Sequence, residues 1–179
     1  AEIQLRFNEV DYAIQILRTN TTFKELDVKF TIFGSYDTNN PSCLNKSELQ
    51  KRCDNLNVNL VEFRKSSLPN ILKTHTHFLL PSHREGTSKA LLEACLSNLF
   101  PVVANVPGLN NVVEHGVSGL LFEAKDKNAL SETIMEACSL SSDTTKKMAD
   151  RARNKVMTGF SEEIINEEML KILTDLDIH

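Results

Sequence analysis

Two short apolar runs, His77-Phe78-Leu79-Leu80-Pro81 and Phe100-Pro101-Val102-Val103-Ala104, limit what this chain can fold into more than any other feature. A strand with one wet face alternates apolar and polar residues, whereas unbroken runs such as these are the pattern of strands covered on both faces in a parallel sheet. Between them lies Ala90-Leu91-Leu92-Glu93-Ala94-Cys95-Leu96, built from strong helix formers. Its apolar side chains cover almost every face of a helix, which predicts packing on two sides. Glu93 then sits where a carboxylate costs several kcal/mol (~3 or more) unless something pairs with it. An i,i+4 pair with Lys89 is the weaker orientation and accounts poorly for a charge among leucines.

The same alternation extends in both directions. Val10, Ala13, Ile14, Leu17 and Phe23 recur at helical spacing, and Asp27 to Gly34 alternates polar and apolar residues as a strand does. Asn39-Asn40-Pro41-Ser42 reads as a loop, Lys46 to Asn55 as a helix opened by Asn45, and Val58 to Phe63 as a strand. Ser67 to Lys73 predicts a short helix. After Ala104 come a turn at Gly108, a short helix, and a strand over Gly119 to Phe122. From Lys125 onward the pattern is helical, with breaks near Ser141 and Gly159. Strands alternating with helices define an α/β chain, a Rossmann-like parallel sheet sandwiched by helices. The whole of 1–179 reads as a single domain with a helical C-terminal tail from about 125.

Composition removes several classes of function. With 41% hydrophobic and 25% charged residues the chain has the balance of a folded soluble domain. The net charge of -4 is mild and both signs are scattered, so no basic stripe offers itself to a nucleic acid. Cys43, Cys53, Cys95 and Cys138 form no C-x-x-C pair and fit free thiols in a reducing cytoplasm. No apolar stretch approaches the ~20 residues of a membrane span, so any membrane contact is expected to be peripheral, at the inner face. His75, His77, His83, His115 and His179 have no metal-triad spacing and read as hydrogen-bonded surface groups; His83, beside Glu85, is the one nearest the candidate site.

In an open parallel sheet ligands bind beyond the carboxyl ends of the strands. Pro81 to Ser88 is such a loop, leading from a buried strand into the Glu93 helix, whose first turn offers unpaired N–H groups and partial positive charge. Gly86 permits close approach to the backbone, and Thr87 or Ser88 is placed to cap. Such a turn can hold a phosphate. On these features alone an ordinary capped crossover is the favoured reading.

Glu85 and Glu93, with Gly86 to Leu92 between them, resemble the E-x7-E motif of retaining GT-B glycosyltransferases, and "PSHREGTSKALLEA" is similar to that motif in family 4 enzymes. The likeness continues through "PVVANVPGLNNVVEHGVSGLLFEAKDKNALSETI" and the terminal "FSEEIINEEMLKIL", covering the chain from about Val28. The resemblance implies one half of a GT-B architecture, a C-terminal domain that binds a nucleotide-sugar donor, with no metal. It implies that Glu85 contacts the transferred sugar, that the Gly86-Thr87-Ser88 backbone lines the sugar-phosphate pocket, that Glu93 binds the ribose hydroxyls, and that Arg64 lies near the nucleobase. The expected activity is transfer from a UDP-sugar to a saccharide or lipid-linked acceptor in surface polysaccharide synthesis, with an N-terminal domain outside this chain supplying the acceptor site.

Departures from the pattern favour a rival. If Ala1 to Val10 is the family's first strand, Glu2 and Phe7 stand where it carries an Arg and a Lys against the diphosphate; alternatively that strand lies outside this chain. Asn98 replaces a glycine after the Glu93 helix, and Asn111 a glutamate after Gly108. Asn98 is tolerable because asparagine adopts the left-handed cap conformation. The rival is a degenerate glycosyltransferase-like interaction module; a nucleotide-sugar epimerase shares the layout but needs acid-base residues that the sequence does not reveal.

Overall fold

The computed structural model describes residues 28–34, 46–62 and 72–160. Five strands appear among them, all paired in parallel. β1 (Thr31–Gly34) pairs with β2 (Asn59–Glu62), Thr31 opposite Asn59, and the helix α1 (Lys46–Asn55) connects them. β3 (His77–Leu80) pairs with β4 (Phe100–Ala104), which pairs on its other edge with β5 (Leu120–Phe122). His77 faces Phe100 and Val102 faces Leu120 in this register. The described strands thus form two parallel sheets, β1-β2 and β3-β4-β5, in a Rossmann-like α/β arrangement, with each strand end within a residue or so of expectation except that β1 begins at Thr31.

Every residue of β4 is buried, the condition its unbroken apolar run requires. β3, with the same kind of run, is half-buried at all four positions, because its only strand neighbour among the described residues is β4. Full burial of such side chains stabilises by roughly 1.5–3 kcal/mol each, so the β4 run contributes substantially to the core. Leu91, Cys95, Leu130, Ile134, Met148, Ala152 and Val156 share that core with it.

The helix α2 (Lys89–Leu96) links β3 to β4. It ends in a Schellman motif: Leu99 N–H donates to the Ala94 carbonyl at 3.0 Å and Asn98 N–H to that of Cys95 at 2.9 Å. Asn98 takes φ 64°, the left-handed conformation expected of it, and Leu99 packs on Ala94 with Leu72. α3 (Lys127–Ser139) and α4 (Ser142–Gly159) follow, with the breaks near Ser141 and Gly159 where the sequence places them. Both bury one face in the core of β4.

One element differs from expectation. After Gly108 there is a series of turns rather than a short helix: Val112 and Val113 N–H both donate to the Leu109 carbonyl, and the ladder goes no further. The expected helices over Val10 to Phe23 and, up to Ile71, from Ser67 lie outside the described residues.

Candidate functional site

Two loops meet beyond the carboxyl ends of β3 and β4. A Cβ on Gly108 would lie 2.5 Å from the Gly86 carbonyl oxygen and 2.6 Å from that of Glu85, so only glycine lets the second loop rest on the first. Asn110 Nδ2 donates to Asn105 Oδ1 at 3.1 Å across the base of that second loop, and Asn105 N–H donates to the Phe122 carbonyl. Between the loops opens a cleft of about 310 Å³ lined by His83, Arg84, Glu85, Gly86 and Pro107.

Glu85 is half-buried, and its Oε1 accepts a 2.7 Å hydrogen bond from the hydroxyl of Ser82, which is fully buried. A hydroxyl donating to a carboxylate is a charge-assisted bond, stronger than a neutral one. Arg84 is exposed at the cleft, and Gly86 has open space beside its Cα. Ser88 stands at the N-cap of α2 with φ −76° and ψ 116°, yet its side chain makes no capping hydrogen bond. The N-cap side chain of α2 thus accepts nothing from the first turn, unlike that of α3, where Asp126 accepts from Asn128 and Ala129, and that of α4, where Ser141 accepts from Thr144.

The structure brings Glu85 and Gly86 into the cleft and leaves Thr87 and Ser88 out of its lining: Thr87 is exposed, Ser88 buried at the helix start. Glu93 corrects the expectation of a buried carboxylate. α2 buries only Leu91, Ala94 and Cys95, while Ala90 and Glu93 are exposed and Leu96 is 44% exposed. An exposed carboxylate needs no partner, and among the described residues no ion pair joins it to Lys89. Arg64 lies outside the described residues.

Sequence reasoning missed Ser82, Pro107 and the contact made by Gly108. Ser82-x-x-Glu85 has the spacing at which a hydroxyl and a carboxylate meet in a tight turn, a signal that could have found the first. The other two depend on a contact between segments some twenty residues apart.

The remaining chemistry-bearing groups are structural. Cys95 is buried in α2 and burial pushes its thiol up to about 12, so it is not a nucleophile at neutral pH. Burial also raises Cys138. His77 begins β3, at the far end of the strand from the cleft, with its ring edge-on to Phe100 at 5.4 Å. Burial lowers its pKa, with a backbone hydrogen bond at Ala137 acting the other way. His115 accepts from Leu121 N–H through Nδ1 at 3.0 Å and so fixes the turn before β5. No group of three or more His, Cys, Asp or Glu side chains is arranged to hold a metal among the described residues, and no helix there is long and apolar enough to cross a membrane.

Against this geometry, the family model for glycosyl transferases group 1 matches residues 4–139. The UDP-Gal:α-D-GlcNAc-diphosphoundecaprenol α-1,3-galactosyltransferase of Escherichia coli is 32% identical over 97 residues, 54% of this chain and 24% of that protein. The capsular polysaccharide biosynthesis glycosyltransferase CapM of Staphylococcus aureus is 27% identical over 146 residues, 82% of this chain and 37% of its own length. The chain thus spans less than two-fifths of either relative. Among solved structures, a variant of Staphylococcus aureus TarM in complex with fondaparinux, α-GlcNAc-glycerol and UDP superposes with a TM-score of 0.77 at 20% identity, over 93% of this chain and 32% of that one. This likeness identifies the fold as one half of a GT-B architecture.

Proposed function

Because the chain belongs to the glycosyl transferases group 1 family, we propose that it is the donor-binding domain of a family 4-like, retaining hexosyltransferase acting in surface polysaccharide synthesis. The observation that carries this reading is Glu85, held by Ser82 in a cleft beyond the carboxyl end of β3, in the loop that leads into α2. The relatives' names, a galactosyltransferase using UDP-Gal and a capsular polysaccharide enzyme, support a UDP-sugar as donor and a saccharide or lipid-linked acceptor.

In this reading Glu85 accepts hydrogen bonds from hydroxyls of the transferred sugar, and Gly86 lets the sugar-phosphate lie against the backbone. The N–H groups of the first turn of α2 receive the diphosphate and hold the charge that develops on it as the glycosidic bond breaks. Glu93, exposed three residues beyond Ala90, accepts from the ribose hydroxyls. Arg64 lies beside the base. The acceptor site belongs to a part of the enzyme outside this chain, and no metal is assigned a role. The interaction-module reading rests on Glu2 and Phe7, which lie outside the described residues.

Calorimetric titration with UDP, UDP-galactose, UDP-N-acetylglucosamine and GDP-mannose tests the proposal, with Glu93→Ala as control. The expected result is binding of the uridine compounds in preference to GDP-mannose, weakened about tenfold or more in the variant. A folded chain that binds none of them at millimolar concentration contradicts it.

A further inference from the structure

We propose that Ser82 is a positioning residue for Glu85, fixing its carboxylate so that a sugar in the cleft meets it in one orientation. The inference rests on the donor-site reading above. Ser82 follows β3 by two residues and is completely buried, and a buried hydroxyl is stable only with a partner. Its partner is the Glu85 carboxylate, at 2.7 Å, in a side chain that lines the cleft. The backbone of that segment is held independently, since Gly108 packs against the carbonyls of Glu85 and Gly86. Main chain and carboxylate are thus fixed by separate contacts, one from across the cleft and one from beneath it.

The arrangement has a functional consequence that packing alone does not. A glutamate free to change rotamer loses that freedom when a ligand is bound, whereas one already held loses less. Removing the Ser82 hydroxyl takes away the hydrogen bond that the Glu85 carboxylate receives from a fully buried donor in its own loop, and leaves the backbone contact with Gly108 in place. The sugar-dependent part of donor affinity therefore depends on Ser82, and the nucleotide-dependent part does not.

The test compares UDP with UDP-galactose, UDP-glucose and UDP-N-acetylglucosamine by calorimetry on the 179-residue chain carrying Ser82→Ala, Ser82→Cys, Glu85→Gln or the Ala–Gln pair. UDP affinity is expected to stay within about twofold, while the ratio of UDP-sugar to UDP affinity falls about tenfold in Ser82→Ala. Ser82→Cys fills nearly the same space but donates weakly, so it is expected to match Ser82→Ala. The glutamine of Glu85→Gln still accepts from Ser82 but carries no charge, so the double variant is expected to lose less than the sum of the two single losses.

Recovery in Ser82→Cys would assign Ser82 to packing, and an equal fall for UDP and UDP-sugars would assign it to general stability; either overturns the proposal. A ratio that responds to Glu85→Gln and not to Ser82→Ala removes the positioning role and leaves the donor site intact. A ratio indifferent to Glu85→Gln, or an unsubstituted chain that binds no UDP, removes the donor-site reading and this inference with it.

Discussion

The crossover from β3 into α2 and the one from β5 into α3 both run from the carboxyl end of a parallel strand to the start of a helix, and they finish that start differently. In the second, Lys125 at φ 68° turns the chain and Asp126 accepts from Asn128 and Ala129 at 2.9 and 3.0 Å. The helix end, with its partial positive charge, is satisfied by the protein's own carboxylate. In the first, Ser88 occupies the same position and its side chain caps nothing, while Glu85, the nearby carboxylate, accepts from the Ser82 hydroxyl. Two crossovers of one design thus start their helices differently: Asp126 caps α3 with its own carboxylate, whereas the Ser88 side chain caps nothing at α2, the end where the proposed donor site lies.

Gly108→Ala is expected to break the comparison most severely, because the added Cβ meets main-chain carbonyls at 2.5–2.6 Å and the residue sits at φ 89°. A loss of about 3 kcal/mol follows from overpacking plus left-handed strain, read as a fall in urea midpoint. Gly86→Ala, on the other side of the same contact, meets nothing within 4 Å and is expected to cost under ~1 kcal/mol.

Next in size, Asp126→Ala is expected to destabilise the chain by about 1 kcal/mol through loss of its cap, and Ser88→Ala by less than about half of that. Equal costs in the same denaturation assay would show that α2 is capped after all.

The smallest effect concerns His77, far from the cleft. Its lowered pKa means that the unfolded chain binds the proton more readily, so stability is full above 6.5 and falls as pH drops from there toward the folded value. His77→Gln is expected to flatten the denaturation midpoint between pH 7.5 and 5.5 without altering the affinity for UDP at neutral pH. A slope that survives the substitution would place its source elsewhere.

Much of the scaffold was legible because local rules and tertiary demands coincide in it. Phe100 to Ala104 announces a strand buried on both faces and is one, and Asn98 takes the cap conformation that asparagine tolerates. Glu93 was misread because Ala90 and Leu96 look like core on a helical wheel, yet both are exposed, as apolar residues on a surface often are. The cleft was half legible. Glu85 and Gly86 lie in a loop whose place after a strand marks it, whereas Pro107 and the close approach of Gly108 arise from a second loop that no local pattern joins to the first.

The most direct test of the central claim is to titrate the 15N-labelled chain with UDP and follow its backbone amides by NMR. Donor binding beyond β3 is expected to move Gly86 and the first turn of α2, Lys89 to Leu91, most, with Asn128 and Ala129 at the start of α3 unmoved. Shifts centred on α3, or none at saturating UDP, would contradict that claim.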